Sequence, residues 1–520
     1  MSTPQLLNTP AKHTLSLVAL ADKTWQSLRE GIIRTAWTPC AKLAEAAVVS
    51  VLNHISEGHL RISTQNSTYN FPVTRANSSH LLSAELKVVS DTFWIRLATM
   101  GDLGFAEAYM YGEVECEDLI STFQIFLRNR QRLQNLDSKF SFLFSLPQKI
   151  TSDRFVNSLS NAQANISAHY DISNQMFAGF LSEDMTYSCA IFKDLDSDLK
   201  TSSFDLSKIQ TCESKVKRAL PTPTPTPTNE PFVEHSESPD ELYEAQMRKL
   251  EHIIRQAQIR PGQRVLEIGS GWGSMAVKIA KEFAGTTVDT LTLSVHQQEL
   301  ARARILQAGP EVASRVKVHL LDYRALPKEW SGSFDRVVSV EMVEAVGREY
   351  LEEYFRVIDW ALKPDIGVGV VQGITIPEAR FERYVREIDF IQKWSKRRRG
   401  FLPTLTLLIQ SLESGSQGRL TIDSVSNIGP HYARTLREWR RRFVTKFSEV
   451  IEPALREEHP EVMDGERGRR EVEIFRRKWL YYYCYCEIGF TTRSLGDHIL
   501  TFTRDGNQSF GCGTVSQKEE

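Results

Sequence analysis

The sequence has few long apolar runs. None approaches the roughly 20 residues that a membrane-spanning helix requires. The best early stretch, Leu15 to Ala21, is too short and lacks a basic leader, so no signal peptide is expected. Neither sign of charge is in excess: 63 Lys and Arg face 65 Asp and Glu, a formal net charge of -2. Without a global basic footprint, nucleic acid is not expected as a partner. Cysteine is sparse too. Its seven copies are scattered, odd in number and without CxxC pairs, so no zinc site or other metal is assigned. Cys484 and Cys486, one residue apart, read as helix packing, and a reducing, cytoplasmic compartment fits.

What is present is the composition of a globular protein, 41% hydrophobic and 25% charged over 520 residues, enough for two or three domains. Residues 1–28 are polar and irregular and are expected to be disordered. Residues 29–135 read as a small α+β domain: a helical pattern from Ala41 to Ile55, two short strands between His59 and Phe71 around Gln65-Asn66-Ser67, and a helix from Asp118 to Leu133. Segment 136–192 is a helical cap that carries motifs. A low-complexity linker or insertion, 193–238, follows and includes Pro221-Thr-Pro-Thr-Pro-Thr-Pro227, which favours solvated, extended backbone. Residues 239–505 form the main domain and 506–520 a disordered tail.

The main domain alternates. Arg264–Ile268, 288–293, Val316–Leu320, 334–340 and 368–374 read as strands with helices between them, which implies a parallel, doubly wound sheet. Residues 493–504 supply a further strand, preceded by an aromatic helix over 479–486. At the first strand-to-helix turn stands Val265-Leu-Glu-Ile-Gly-Ser-Gly-Trp-Gly-Ser274. Glycines there let the backbone approach a ligand beside a helix N-terminus. Three features turn the motif away from NAD: the spacing is Glu-x-Gly-x-Gly-x-Gly, Glu267 at the strand end is placed to orient an ammonium, and the second strand ends in Thr292-Leu-Ser294 without the acidic residue that a ribose would need. By itself the turn leaves methyl transfer, NAD binding and a structural glycine turn open.

The full set of motifs is more specific. His169-Tyr-Asp-Ile-Ser-Asn174, Met185-Thr-Tyr-Ser-Cys-Ala190, the glycine turn, Leu291-Thr-Leu-Ser294 with Gln297, Asp322-Tyr-Arg324, Ser339-Val-Glu-Met-Val-Glu-Ala-Val-Gly347, Ile374-Thr-Ile-Pro377, Gly400-Phe-Leu-Pro403, His431-Tyr-Ala-Arg-Thr-Leu436 and Cys486-Glu-Ile-Gly-Phe490 run in order along the chain. Together they resemble the cyclopropane-fatty-acyl-phospholipid synthase family, which includes the mycolic acid cyclopropane synthases; fungal members are the most similar. The segment Gly101–Gly112 extends the resemblance into the N-terminal part.

The resemblance implies an α/β, Rossmann-like class I S-adenosylmethionine methyltransferase core with helical additions. The activity it implies is transfer of a methylene unit to the double bond of an unsaturated phospholipid acyl chain, reached by peripheral contact with the membrane; a homodimer is compatible with it. Such chemistry must hold a weak alkene nucleophile in line, keep water from a carbocation and supply a base that removes a proton for ring closure. The resemblance implies bicarbonate as that base, cradled by backbone groups of Cys189 and Ile374 and by Glu344, Gln372 and Tyr432. It implies that S-adenosylmethionine meets Tyr187, Ser188, Gly269, Gly271, Thr292, Gln297 and Asp322; Glu267 and Gly273 of the glycine turn complete the expected cofactor site.

Two departures stand out. Gln372 stands where some members carry His, so this residue cannot titrate. Trp394-Ser-Lys-Arg-Arg-Arg-Gly400 replaces a shorter apolar loop. Its four cations cannot enter an acyl tunnel without a large desolvation cost; they suit an anionic headgroup at about 1 kcal/mol each, or bulk solvent. The helix bearing Phe123 and Phe126, with Arg128, Arg130 and Arg132, is a candidate membrane contact, with inward packing the equal alternative. The alternatives carried alongside are C-methylation of another lipid (a methyl-branched acyl chain or a sphingolipid base), N-methylation of a small amine, and a non-catalytic lipid- or cofactor-binding relative.

Overall fold

The computed structural model describes residues 37–72, 82–133, 173–201, 240–386, 389–394, 400–463 and 465–511, and all structural statements concern those residues. The expectations for 1–28, His169–Ile172, most of the 193–238 linker and the cations at 396–399 lie outside them.

The N-terminal part is a four-stranded sheet covered by helices. After the helix Trp37–Leu52 come β1 (His59–Ser63), β2 (Thr68–Phe71), β3 (Ser83–Val88), the helix Thr92–Met110, β4 (Val114–Cys116) and the helix Leu119–Arg128. The sheet order is β2-β1-β3-β4, with β1 antiparallel to β2 but parallel to β3. The reason is legible in β3, where Ala84, Leu86 and Val88 alternate with exposed Ser83, Glu85 and Lys87. The β1–β2 turn is pinned by Thr64, whose Oγ1 accepts from the Asn66 and Ser67 amides at 3.2 and 2.9 Å.

The helix Leu119–Arg128 starts where Asp118 caps the Ser121 amide at 2.9 Å. Its aromatic side corrects one expectation. Phe123 is buried with Phe105, Tyr481 and Tyr485 around it, and Phe126 packs on Phe105. Phe123 is core, because a neighbouring aromatic helix covers it, whereas Phe126 is half-buried at the edge of that core.

The second sheet has seven strands: β5 (Arg264–Ile268), β6 (Thr287–Thr292), β7 (Val316–Leu320), β8 (Arg336–Val340), β9 (Val368–Thr375), β10 (Leu420–Asn427) and β11 (Gly496–Arg504), in the order β10-β11-β9-β8-β5-β6-β7. The five strands β5–β9 are parallel, as the βα alternation requires. β11 runs antiparallel to β9, and β10 antiparallel to β11, so two antiparallel strands extend the expected parallel sheet. β10 was not anticipated: Leu-Thr-Ile-Asp-Ser-Val-Ser-Asn is a polar edge strand whose period is interrupted by a register shift between Ile422 and Ser424.

The helix Gly465–Thr491 joins the two parts. Tyr481, Cys484 and Ile488 belong to the N-terminal core, whereas Trp479, Tyr483 and Phe490 belong to the core of the second sheet. A second tie is the ion pair of Lys393 with buried Glu107 at 2.6 Å, and Glu107 also meets Arg96 at 2.7 Å.

Candidate active site

The first turn of the second sheet sets the site. Gly269, Gly271 and Gly273 have φ of 101°, 48° and 88°, backbone that side chains disfavour. The amides of Gly269 and Ser270 donate to the Leu291 carbonyl at 3.1 and 2.7 Å, tying the turn to the end of β6. The three glycines differ in role. A Cβ on Gly271 would meet nothing within 4 Å, whereas one on Gly273 would lie 3.2 Å from the Ala301 Cβ. Gly273 therefore serves packing between helices, and it is not among the residues lining the cavity.

That cavity, at the C-terminal ends of the parallel strands, brings together Tyr187, Ser188, Glu267, Gly269, Gly271, Thr292, Gln297, Asp322 and Glu344 from the sequence reading. Glu267 is nearly fully buried, and burial pushes its carboxyl up to about 8; its Oε2 has no hydrogen-bond partner. Thr292 Oγ1 donates to Gln297 Oε1 at 2.8 Å, fixing that amide. Asp322 is paired with Arg324, which donates Nη2 at 2.7 Å and its own amide at 2.9 Å. Tyr187 stacks on Trp439 at 5.0 Å and shares a 3.1 Å hydrogen bond with the Tyr482 hydroxyl. The turn's Trp272 donates to Asn174 Oδ1 at 2.8 Å, which links the glycine turn to the helix Asn174–Phe180.

At the cavity wall lies a polar layer in which Cys189, Gln372 and Tyr432 come together around a residue the sequence reading did not single out, with Glu344 and Ile374 paired beside them. Glu341 Oε1 accepts from the Cys189 amide at 2.7 Å and from Gln372 Nε2 at 3.0 Å, and its Oε2 accepts from the Tyr432 hydroxyl at 2.6 Å. Glu344 Oε1 accepts from the Ile374 amide at 2.5 Å. The donors expected to hold bicarbonate thus serve carboxylates of the chain itself. Burial raises the Cys189 thiol and the Tyr432 hydroxyl well above their usual ranges, so both stay protonated. Gln372 also donates to Asp497 Oδ2 at 2.8 Å.

Three residues were missed. Glu341 stands in the quoted motif three positions before Glu344, at φ 47°. Asp497 is a fully buried carboxylate near the start of β11. Lys249 lines the cavity fully buried, and its Nζ donates to Ser188 Oγ at 2.7 Å. Lys249 was detectable: on the helix Glu241–Gln256, Gln246 and Lys249 sit at the buried positions of an otherwise apolar face with Leu242, Leu250 and Ile253.

A seven-stranded sheet with this glycine turn is the fold of the class I methyltransferases. The structure of coclaurine N-methyltransferase bound to N-methylheliamine and SAH matches 77% of this chain and 99% of that one, with a TM-score of 0.51 at 16% identity, a likeness of fold. The chain itself belongs to the mycolic acid cyclopropane synthetase family, whose sequence profile matches residues 157–218 and 233–496. It is 32% identical over 79% of its length to the tuberculostearic acid methyltransferase UfaA1 of Mycobacterium tuberculosis, covering 81% of that protein. It is 29% identical over 81% of its length to the cyclopropane-fatty-acyl-phospholipid synthase of Escherichia coli, covering 88% of that protein.

Proposed function

We propose that the protein transfers a one-carbon unit from S-adenosylmethionine to the double bond of an unsaturated phospholipid acyl chain and closes it to a cyclopropane ring. The observation that carries the reading is the buried, unpartnered Oε2 of Glu267 in a cavity against which Gly271 presents no side chain. A carboxylate in that setting suits an ammonium, and a bare glycine turn suits close approach by the rest of a nucleoside-linked amino acid. Tyr187, Ser188, Gly269, Gly271, Thr292, Gln297 and Asp322 would hold the cofactor, with Glu267 on its ammonium. When bound, it supplies an activated methyl on a sulfonium.

The chain's own residues do the rest. Thr292 holds Gln297 in one orientation, and Arg324 holds Asp322, so neither group must reorder on binding. Tyr187 lines the cavity and stacks on Trp439, with Tyr432 and Phe490 packed behind; this aromatic layer would exclude water from a cationic intermediate. The acyl chain would be met at a membrane surface as a peripheral contact; no helix among the described residues is long and apolar enough to cross a membrane. The sequence reading gave the base role to bicarbonate. Because Cys189, Gln372 and Tyr432 already donate to Glu341, the residues as arranged do not fit that ion, and no step is routed through it here.

The Mycobacterium tuberculosis relative favours a second reading, a methyl branch in place of a ring. Lipid mass spectrometry of a bacterial host lacking its own synthase, with and without the protein, separates the two. A gain of one CH2 on unsaturated chains that resists hydrogenation supports cyclopropanation, and its loss in Glu344→Gln supports the site. The same gain on a chain that still takes up hydrogen, as a methylated alkene does, moves the enzyme to methyl branching; a saturated methyl branch would carry two further hydrogens and need a separate reductant. No new lipid from folded, cofactor-binding protein counts against the proposal.

A further inference from the structure

The carboxylate of Glu341 is held as a bound anion would be. Three donors from well-separated parts of the chain converge on its two oxygens: the Cys189 amide, Gln372 of β9 and Tyr432 of the helix Gly429–Lys446. Its own amide donates to the Gln372 carbonyl at 2.9 Å, so the backbone is fixed as well. Glu341 is half-buried and lines the same cavity as Glu267, Gly269 and Tyr187. Its φ of 47° is left-handed, a conformation that costs a residue with a side chain about 1–3 kcal/mol. Strain retained at a cavity wall, under three converging hydrogen bonds, marks a position set by function.

A glutamate carboxylate and bicarbonate present the same planar pair of oxygen acceptors. Resting on the function proposed above, we propose that Glu341 is the general base of ring closure and that the chain has replaced an exchangeable ion by its own side chain. In the step, the methyl carbon has bonded to one alkene carbon as the carbon–sulfur bond broke, leaving the positive charge on the other. A Glu341 oxygen takes a proton from the new methyl. The electron pair of that C–H bond forms the third side of the ring, and the neutral carboxyl later yields the proton to water through the cavity.

Two features suit Glu341 to accept a proton rather than bond to the cation. Both oxygens are pinned by hydrogen bonds from three donors, and those donors, all on buried residues, keep the oxygens from advancing on the carbon. Nearby, burial together with Glu341 and Glu344 holds Asp497 well above the usual carboxylate range. Asp497 is thereby held toward its protonated form, while Glu341 is the less buried of the two carboxylates.

The test uses the full chain, vesicles of monounsaturated phospholipid and S-adenosylmethionine, in buffer freed of carbon dioxide, with or without added bicarbonate. A parallel measurement follows 13C-bicarbonate binding by NMR. Glu341→Gly is the informative variant, because glycine accepts the left-handed backbone and leaves all three donors in place. The wild type should form the ring at one rate in both buffers and bind no 13C-bicarbonate. Glu341→Gly should lose ~100-fold or more without bicarbonate, regain much of it when the ion is added, and show a bound 13C signal. A wild type that binds the ion and depends on it overturns the proposal. So does Glu341→Gly that is fully active without bicarbonate, or that no added carboxylate rescues while its cofactor affinity is unchanged. If the wild type makes no lipid product in any buffer, the activity fails and the base role falls with it; the binding comparison still tells which anion owns the cradle.

Discussion

Lys249 Nζ donates to Ser188 Oγ over 2.7 Å, and neither residue is exposed to solvent. The same helix sends Gln246 Nε2 to the Ser188 carbonyl at 2.8 Å, so one turn of helix grips both ends of a residue on the cavity wall. Burial lowers the Lys249 ammonium, and Glu341 and Asp184 oppose that shift. Lys249→Met should keep the fold, since a buried charge is replaced by an apolar group of similar length. It should weaken binding of S-adenosylhomocysteine by about tenfold or more, the worth of a hydrogen bond to a charged group. Calorimetric titration of wild type and variant measures this; equal affinities would make the contact purely structural.

Glu267 predicts a pH dependence with a definite sign. Its folded-state value near 8 lies above the ordinary 4.5 because burial penalises the charge. Between those values the folded protein keeps a proton that the unfolded chain has lost, so this group's contribution is full at low pH and declines as pH rises toward 8. The slope is on the order of 1.4 kcal/mol per pH unit within the window. The melting temperature of the cofactor-free protein should fall from about pH 6 to 8, and Glu267→Gln should flatten that fall. Binding a cofactor ammonium at neutral pH should release a proton in the wild type but not in Glu267→Gln, which titrations in buffers of different ionisation enthalpy detect.

The glycine turn separates two substitutions of the same kind. Gly273→Ala adds a Cβ 3.2 Å from Ala301 at φ 88°, and should destabilise the fold by about 1–3 kcal/mol. Gly271→Ala also meets backbone strain, but its Cβ enters open space. Its loss should appear more in cofactor affinity than in the melting temperature. Thermal denaturation and ligand titration of both variants check the contrast.

Phe123 offers a test of the lipid-facing expectation. Its ring lies 5.2 Å from Tyr481, edge to face, inside the N-terminal core. Phe123→Ala should cost about 3–5 kcal/mol in urea denaturation and leave vesicle sedimentation of the folded protein unchanged.

The parallel strands and the glycine turn were legible because periodicity and spacing are local. The cavity-lining residues expected to meet the cofactor followed from the family resemblance, and Glu267, Gly269 and Thr292 among them sit at or just beyond strand ends. Three things were not legible, each for a non-local reason. β10 is a polar edge strand that acquires its place only by pairing with β11, some seventy residues later. The burial of Phe123 was hidden because its cover, Tyr481 and Tyr485, comes from the far end of the chain. Glu341 sat in view inside a recognised motif, but its partners Cys189, Gln372 and Tyr432 lie 152, 31 and 91 positions away. Only the fold shows that they share one carboxylate.

The helix Gly465–Thr491 packs one set of rings into each of the two sheets. Stripping away the N-terminal sheet would uncover Tyr481, Cys484 and Ile488, and the helix that lost them also carries Phe490, stacked at 4.5 Å on Tyr432. The helix acts as a shared keel: the two halves should melt as one cooperative unit, and a shortened chain lacking residues 37–133 should lose its catalytic geometry along with its solubility.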